Sequence, residues 1–181
     1  VRDPRVALIA FTGSKGVGLN IIEAAGKTPA EQLNVKKVVC EMGGKNALII
    51  DTSADFDEAV LAARQSAFGF QGQKCSACAR LIVVDPEGPN GPAITAFTRR
   101  FVEASRALTI GDPMNPGTDI GPVIDAESKK KIEYYIGEGR RECREELSLP
   151  VPEGLEAKTQ RCYVGPHIFS GVKPEHAIAR E

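Results

Sequence analysis

No run of apolar residues in this sequence is long enough to cross a bilayer. Runs such as residues 6–11 (VALIAF), the longest, and 81–84 (LIVV) fall far short of the ~20 residues a helical span needs, so no membrane partner is expected. An excess of charge is missing too. The net charge of -1 offers nothing to the phosphates of a nucleic acid or to an anionic lipid surface. A disulfide framework is also absent, because the five cysteines are odd in number and scattered, a usage that suits a reducing cytosol. Cytoplasm is therefore the expected location. Residues 1–5 (VRDPR) do not read as a signal peptide. There is no internal repeat and no low-complexity stretch. The sequence also opens without methionine and ends at Glu181 without a glycine or proline stop, so it is expected to be an interior piece of a longer chain.

What is present is ordinary for a soluble protein: 42% hydrophobic and 26% charged residues over a length that fits one domain or parts of two. Residues 6–11 are expected to form a strand buried on both faces of a parallel sheet. Thr12 and Gly13 make a turn, and Ser14 caps a helix to about Ala25, with Val17, Ile21, Ile22 and Ala25 at helical spacing and Gly26 as its stop. After a polar loop over 28–34, strands are expected at 37–40, leading to Glu41, and at 47–50. Asp55 and Glu58 resemble a capping box. They open a helix with Phe56, Ala59, Val60, Ala63 and Ala67 on one face.

That helix leads into residues 72–78, and 81–84 read as another buried strand. Residues 85–92 are expected as an exposed loop, and 93–108 as a helix carrying Ile94, Phe97, Phe101 and Leu108 on one side. Turns follow over 111–122, then a helix over 126–137 with Ile132, Tyr135 and Ile136 inward. Residues 142–160 are charged and broken by Pro150, Pro152 and Gly154, and 163–169 make a last candidate strand. Strands alternating with helices point to an α/β fold with a mainly parallel sheet and flanking helices.

Three stretches carry chemistry. Gly72-Gln73-Lys74-Cys75-Ser76-Ala77-Cys78 is a turn that can present a thiol, with small residues leaving room around it. A lone cysteine is otherwise most simply a small buried hydrophobe. Cys40-Glu41-Met42-Gly43-Gly44-Lys45-Asn46 sets an acid beside two glycines between two strands. Phe11-Thr12-Gly13-Ser14-Lys15-Gly16-Val17-Gly18 is a glycine-built strand-to-helix turn. It lacks the G-x-G-x-x-G order, but it sets backbone N–H groups and a helix N-terminus where a pyrophosphate can sit.

In this order, the three stretches resemble the aldehyde dehydrogenase superfamily. Residues 9–50 and 68–84 are similar specifically to its L-glutamate γ-semialdehyde (1-pyrroline-5-carboxylate) dehydrogenases, and the likeness weakens only around 142–160. The resemblance implies a catalytic domain preceded by the end of a Rossmann-like domain. Residues 1–41 would be the last part of the NAD-binding domain, and 42–181 a thiol-bearing catalytic domain incomplete at its C-terminal end. It also implies that Cys75 is the nucleophile and Glu41 the general base that hydrolyses the thioester. Gly13 and Ser14 would approach the phosphates of NAD (or NADP), Val17 the adenine, with Gly18 in the same turn, while Ser76 would contact the substrate. Lys74 or a helix N-terminus can favour the thiolate, and the Cys75 N–H can face the oxyanion. Lys45 is expected to be structural. The substrate would be a small aldehyde from proline degradation, the intact enzyme a homo-oligomer, and the 181-residue piece inactive alone.

The rival reading is the Cys75–Cys78 C-x-x-C pair, as a redox dithiol or half of a zinc site. Zinc would need further ligands, and Cys40, Cys143, Cys162 and His167 are far apart in sequence. A thioredoxin-like pair should directly follow a strand, whereas a helix and a Gly-Gln-Lys turn precede this one. His167 and His176 read as solitary.

Overall fold

A computed structural model describes all 181 residues, which divide into two compact units, Val1–Gly44 and Lys45–Glu181.

The first unit is a β–α–β turn of chain. Strand β1 (Leu8–Gly13) and strand β2 (Lys37–Met42) pair in parallel, with helix α1 (Lys15–Gly26) as the crossover. The Ser14 hydroxyl accepts from Val17 N–H at 3.4 Å, so the expected cap is present. Helix and sheet approach closely at Gly18. A Cβ there would lie 2.7 Å from Met42 Sδ, so any larger residue would require the Met42 side chain to shift. Val38, Cys40 and Met42 alternate with exposed Lys37, Val39 and Glu41 along β2, and α1 covers the Cys40 and Met42 side. Residues 28–34 carry no helix or strand. The amino end of the sheet is tied by buried Lys36, whose ammonium donates to Asp3 O (2.6 Å), Val6 O (2.7 Å) and Gln32 Oε1 (2.7 Å).

In the second unit, strand β3 (Asn46–Ile50) leads to helix α2 (Phe56–Phe68), a 3-10 turn (Gly69–Gly72) and strand β4 (Cys78–Val83), which pairs in parallel with β3. The Asp55 carboxylate caps α2, accepting from Asp57 N–H at 2.9 Å and Glu58 N–H at 3.3 Å. Helix α3 (Pro92–Arg106) then lays Phe97 and Phe101 onto Ile50, Val60 and Ala63. Phe68, Phe101 and Phe97 stack in sequence at 6.1 Å between centroids, and Phe56 meets Phe97 edge-on at 5.6 Å. Helix α4 (Ala126–Glu142), strand β5 (Arg144–Ser148), helix α5 (Leu155–Thr159), strand β6 (His167–Ser170) and helix α6 (Ala177–Arg180) complete the unit. A second cluster joins Ile110, Ile120 and Tyr163.

Several expectations change. Strands β1 and β4 are not buried on both faces. Each parallel sheet has two strands, and helices cover one side of it, so Leu8 (56% exposed), Ile49 (69%) and Ile82 (46%) stand on the open side. Likewise Val17 and Ile22 of α1 are about half exposed. Thr12 and Gly13 belong to β1, not to the turn. The third sheet, β5 with β6, is antiparallel. The charged sequence of β5 concealed it, since Arg144 pairs with Glu146 in the strand and only Leu147 is fully buried. Gly137 does not end α4. The helix runs on to Glu142 because Gly139 crosses β6, where a Cβ would lie 2.9 Å from the Phe169 ring.

The loop before α3 also has structure. Asp85 Oδ2 accepts from Ala93 N–H (2.8 Å) and Ile94 N–H (3.2 Å), capping a helix whose own N-cap is Gly91. Hydrogen bonds from the N–H groups of Glu87, then Ile94 and Ala93, hold this carboxyl below its ordinary pKa. A carboxylate lowered in this way stabilises the fold above its unfolded pKa, and the effect is lost as pH falls through the folded value. Asp85→Ala is expected to lower Tm at neutral pH by about 2–4 °C. The gap to the parent should close in strong acid. Calorimetry showing identical Tm values at neutral pH would remove the cap from this account.

Candidate functional site

The thiol sits at the end of an unusual piece of backbone. Phe70 (φ 53°) and Gln71 (φ 57°) are both left-handed, and Gly72 (φ 68°) follows them. A left-handed conformation costs a non-glycine residue roughly 1–2 kcal/mol, and such strain persists only where surrounding bonds enforce it. Those bonds are present. Gln73 Oε1 accepts from Ile124 N–H at 3.1 Å. Gln71, with its amide oriented to satisfy both groups, accepts from Gly121 N–H at 2.8 Å and donates to Phe70 O at 3.3 Å.

The turn that carries Cys75 closes through Ala77 N–H onto Lys74 O at 3.1 Å. The Cys75 N–H therefore lies outside the turn's own hydrogen bonding. Cys75 and Ser76 are exposed, as the small flanking residues suggested. The Lys74 ammonium lies 5.2 Å from the centroid of the exposed Phe70 ring, a cation–π contact. On the far side, the Asn46 side-chain amide donates to Cys75 O (2.6 Å) and Ala77 O (3.1 Å). Asn46 closes the Glu41 motif, and the sequence around it points to no role for it. Its two partners lie 29 and 31 residues away, so no local pattern could have shown them.

The two thiols of the C-x-x-C pair differ. Cys75 is exposed, whereas Cys78 is buried at the start of β4 with its Sγ 3.4 Å from Arg80 O. Burial pushes the Cys78 thiol above its ordinary pKa. A dithiol couple works through two approachable sulfurs, and here one is inside the fold. No group of three or more His, Cys, Asp or Glu side chains is arranged to hold a metal ion. His167 and His176 are not solitary. His167 Nδ1 is 2.9 Å from Glu145 Oε1, and His176 Nδ1 is 3.1 Å from Cys143 Sγ. Lys45 is half-buried, and burial, with Arg80 nearby, holds its ammonium below the ordinary lysine pKa.

Within the first unit, Glu41 is exposed and pairs with Thr12 in the register of β1 and β2. It stands at the carboxyl end of two parallel strands, on the same edge as Gly13 and Ser14, where open α/β sheets receive ligands. The start of α1 is open to a bound group. Gly13, Ser14 and Val17 are exposed, and a Cβ at Gly16 would meet nothing within 4 Å. Helix N-termini of this kind accept phosphate through their first N–H groups, so these residues fit a dinucleotide pyrophosphate. Gly18 is different. Its N–H is spent on Ser14 O at 3.0 Å and its Cα is buried against β2, so it serves by letting the helix pack.

The first unit is a β–α–β turn of the kind with which nucleotide-binding α/β proteins hold phosphate, and the second presents an exposed thiol after a strained turn. The chain belongs to the aldehyde dehydrogenase family, whose profile matches residues 1–181. It is 40% identical over 181 residues to a 1-pyrroline-5-carboxylate dehydrogenase of Geobacillus kaustophilus (strain HTA426), covering 100% of this chain and 33% of that protein. Among solved structures, proline utilization A (PutA) from Bdellovibrio bacteriovorus, inactivated by N-propargylglycine, superposes with a TM-score of 0.87 at 39% identity, over 98% of this chain and 17% of that one. A 1-pyrroline-5-carboxylate dehydrogenase from Thermus with bound NAD superposes with a TM-score of 0.83 at 38% identity, over 99% of this chain and 33% of that one. The chain thus spans about a third of the length of the curated relatives it matches.

Proposed function

We propose that the protein carrying this chain oxidises glutamate γ-semialdehyde, the open form of 1-pyrroline-5-carboxylate, to glutamate with NAD, in proline degradation. Residues 1–41 belong, on this reading, to the end of its NAD-binding domain and 42–181 to its catalytic domain. The observation that carries the reading is the exposed Cys75 thiol on its braced, left-handed turn, in a chain matched throughout by the aldehyde dehydrogenase family. The names of the relatives support the substrate.

The Cys75 thiolate adds to the aldehyde carbon, and the new oxyanion is met by the Cys75 N–H. NAD, when bound, supplies the hydride acceptor; Gly13, Ser14 and Val17 would hold it at the start of α1, and Gly18 would let that helix pack. Oxidation of the adduct leaves a thioester on Cys75. Glu41 takes a proton from water, and the hydroxide releases glutamate and restores the thiol. Ser76, exposed beside the nucleophile, contacts the substrate chain.

NADH absorbance with glutamate γ-semialdehyde and with a simple aliphatic aldehyde of similar length tests the proposal. The expected result is a kcat/KM for the semialdehyde higher by about 10-fold or more, since a site that pairs with the substrate's charged groups rejects analogues lacking them. Equal use of both aldehydes would leave the thiol chemistry standing and overturn the substrate.

A further inference from the structure

We propose that Asn46 is a positioning residue for the nucleophile: its amide fixes the backbone of Cys75 in the geometry from which the thiol attacks. The inference rests on the reading of Cys75 as nucleophile. One side-chain nitrogen holds two carbonyls of the same turn, Cys75 O at 2.6 Å and Ala77 O at 3.1 Å. An NH₂ group has one hydrogen for each, in a fixed fork. Holding the Cys75 carbonyl fixes the peptide plane that follows Cys75, and with it the frame on which Cβ and Sγ are built.

The anchor lies in the sheet. Asn46 begins β3 and is paired with Cys78, the residue at which β4 resumes after the turn, with a shift of register between Asn46 and Ala47. The turn is therefore held on both sides. Gln71 and Gln73 tie its entry to Gly121 and Ile124, and Asn46 ties its exit to the sheet. Removing Asn46 frees the exit alone. Two neighbouring carbonyls then lose a shared donor, and the Cys75–Ser76 peptide can rotate. The thiol stays exposed and chemically the same, but its direction is no longer set. Reactions that need a near-attack geometry suffer, and reactions that need only an accessible thiolate do not.

This difference gives the test, made in the protein carrying this chain with Asn46→Ala and the near-isosteric, uncharged Asn46→Leu. Both should lower kcat by about 10- to 100-fold with KM for NAD within about twofold of the parent. Alkylation of Cys75 by iodoacetamide should keep its pH midpoint and stay within about threefold in rate, because it reports only the thiolate. Asn46→Leu keeps the side-chain shape without adding charge and offers no donor, so loss in that variant is loss of the donors. It also decides the matter if Asn46→Ala does not fold. A kcat within about twofold of the parent in the folded variants, or an alkylation midpoint that moves in step with kcat, would overturn the proposal. Failure of the nucleophile reading is separately visible, as turnover surviving Cys75→Ser.

Discussion

Cys75→Ser in the protein carrying this chain is expected to abolish NAD-dependent aldehyde oxidation, with turnover falling by about 10⁴- to 10⁶-fold, the range seen when a covalent nucleophile is removed. The substitution changes one atom on an exposed turn, so the fold and the bonds from Asn46, Gln71 and Gln73 should survive. What is lost is nucleophilicity. A serine hydroxyl is hardly ionised at neutral pH, whereas a thiol is in general more acidic and intrinsically far more nucleophilic. The other four cysteines remain, so the loss of activity cannot be ascribed to a general loss of thiols. Turnover within about tenfold of the parent would rule out thiol catalysis at this position.

Glu41→Gln should separate the two halves of the reaction. The proposed base acts only after the thioester has formed, so acylation survives and hydrolysis slows by about 10²- to 10⁴-fold. Rapid mixing should show a burst of NADH close to one equivalent per site, then slow turnover. Glu41 is exposed at the carboxyl end of β2, and the neutral amide keeps its shape, so the burst amplitude should match the parent's active-site titre. A burst and a steady state that fall together, with no acyl-enzyme accumulating, would assign Glu41 another task.

Much of this arrangement was legible in the sequence because it is local. The Ser14 and Asp55 caps, the α2 face of Val60 and Ala63, and the glycine-rich turns each follow from residues within a helical turn of one another. The features that escaped depend on distance. Asn46 reaches Cys75 across 29 residues, and Asp85 caps α3 across eight and nine. The left-handed pair Phe70–Gln71 has no sequence signature, since neither residue favours positive φ. It exists because Gly121 and Ile124 supply N–H donors to the glutamines of the turn. Strand β5 was hidden for another reason. Its glutamates looked solvated, yet Glu145 pairs with Arg140 and His167, and Glu146 with Arg144 and Ser170. Exposure on the open faces of the parallel sheets was missed because an apolar run states which residues prefer burial, and not which elements are there to cover them.

The central claim is that the carbonyl carbon of the substrate becomes bonded to Cys75 Sγ. Peptide mass spectrometry of enzyme quenched in acid during the burst tests it most directly, with Glu41→Gln alongside the parent to lengthen the life of the thioester. The predicted result is one glutamyl acyl group, dependent on both aldehyde and NAD, on the peptide containing Cys75. It should be removed by hydroxylamine, and it should be absent from Cys40, Cys78, Cys143 and Cys162. An acyl group on any of those four, or a full burst of NADH with no acylated cysteine, would contradict the account.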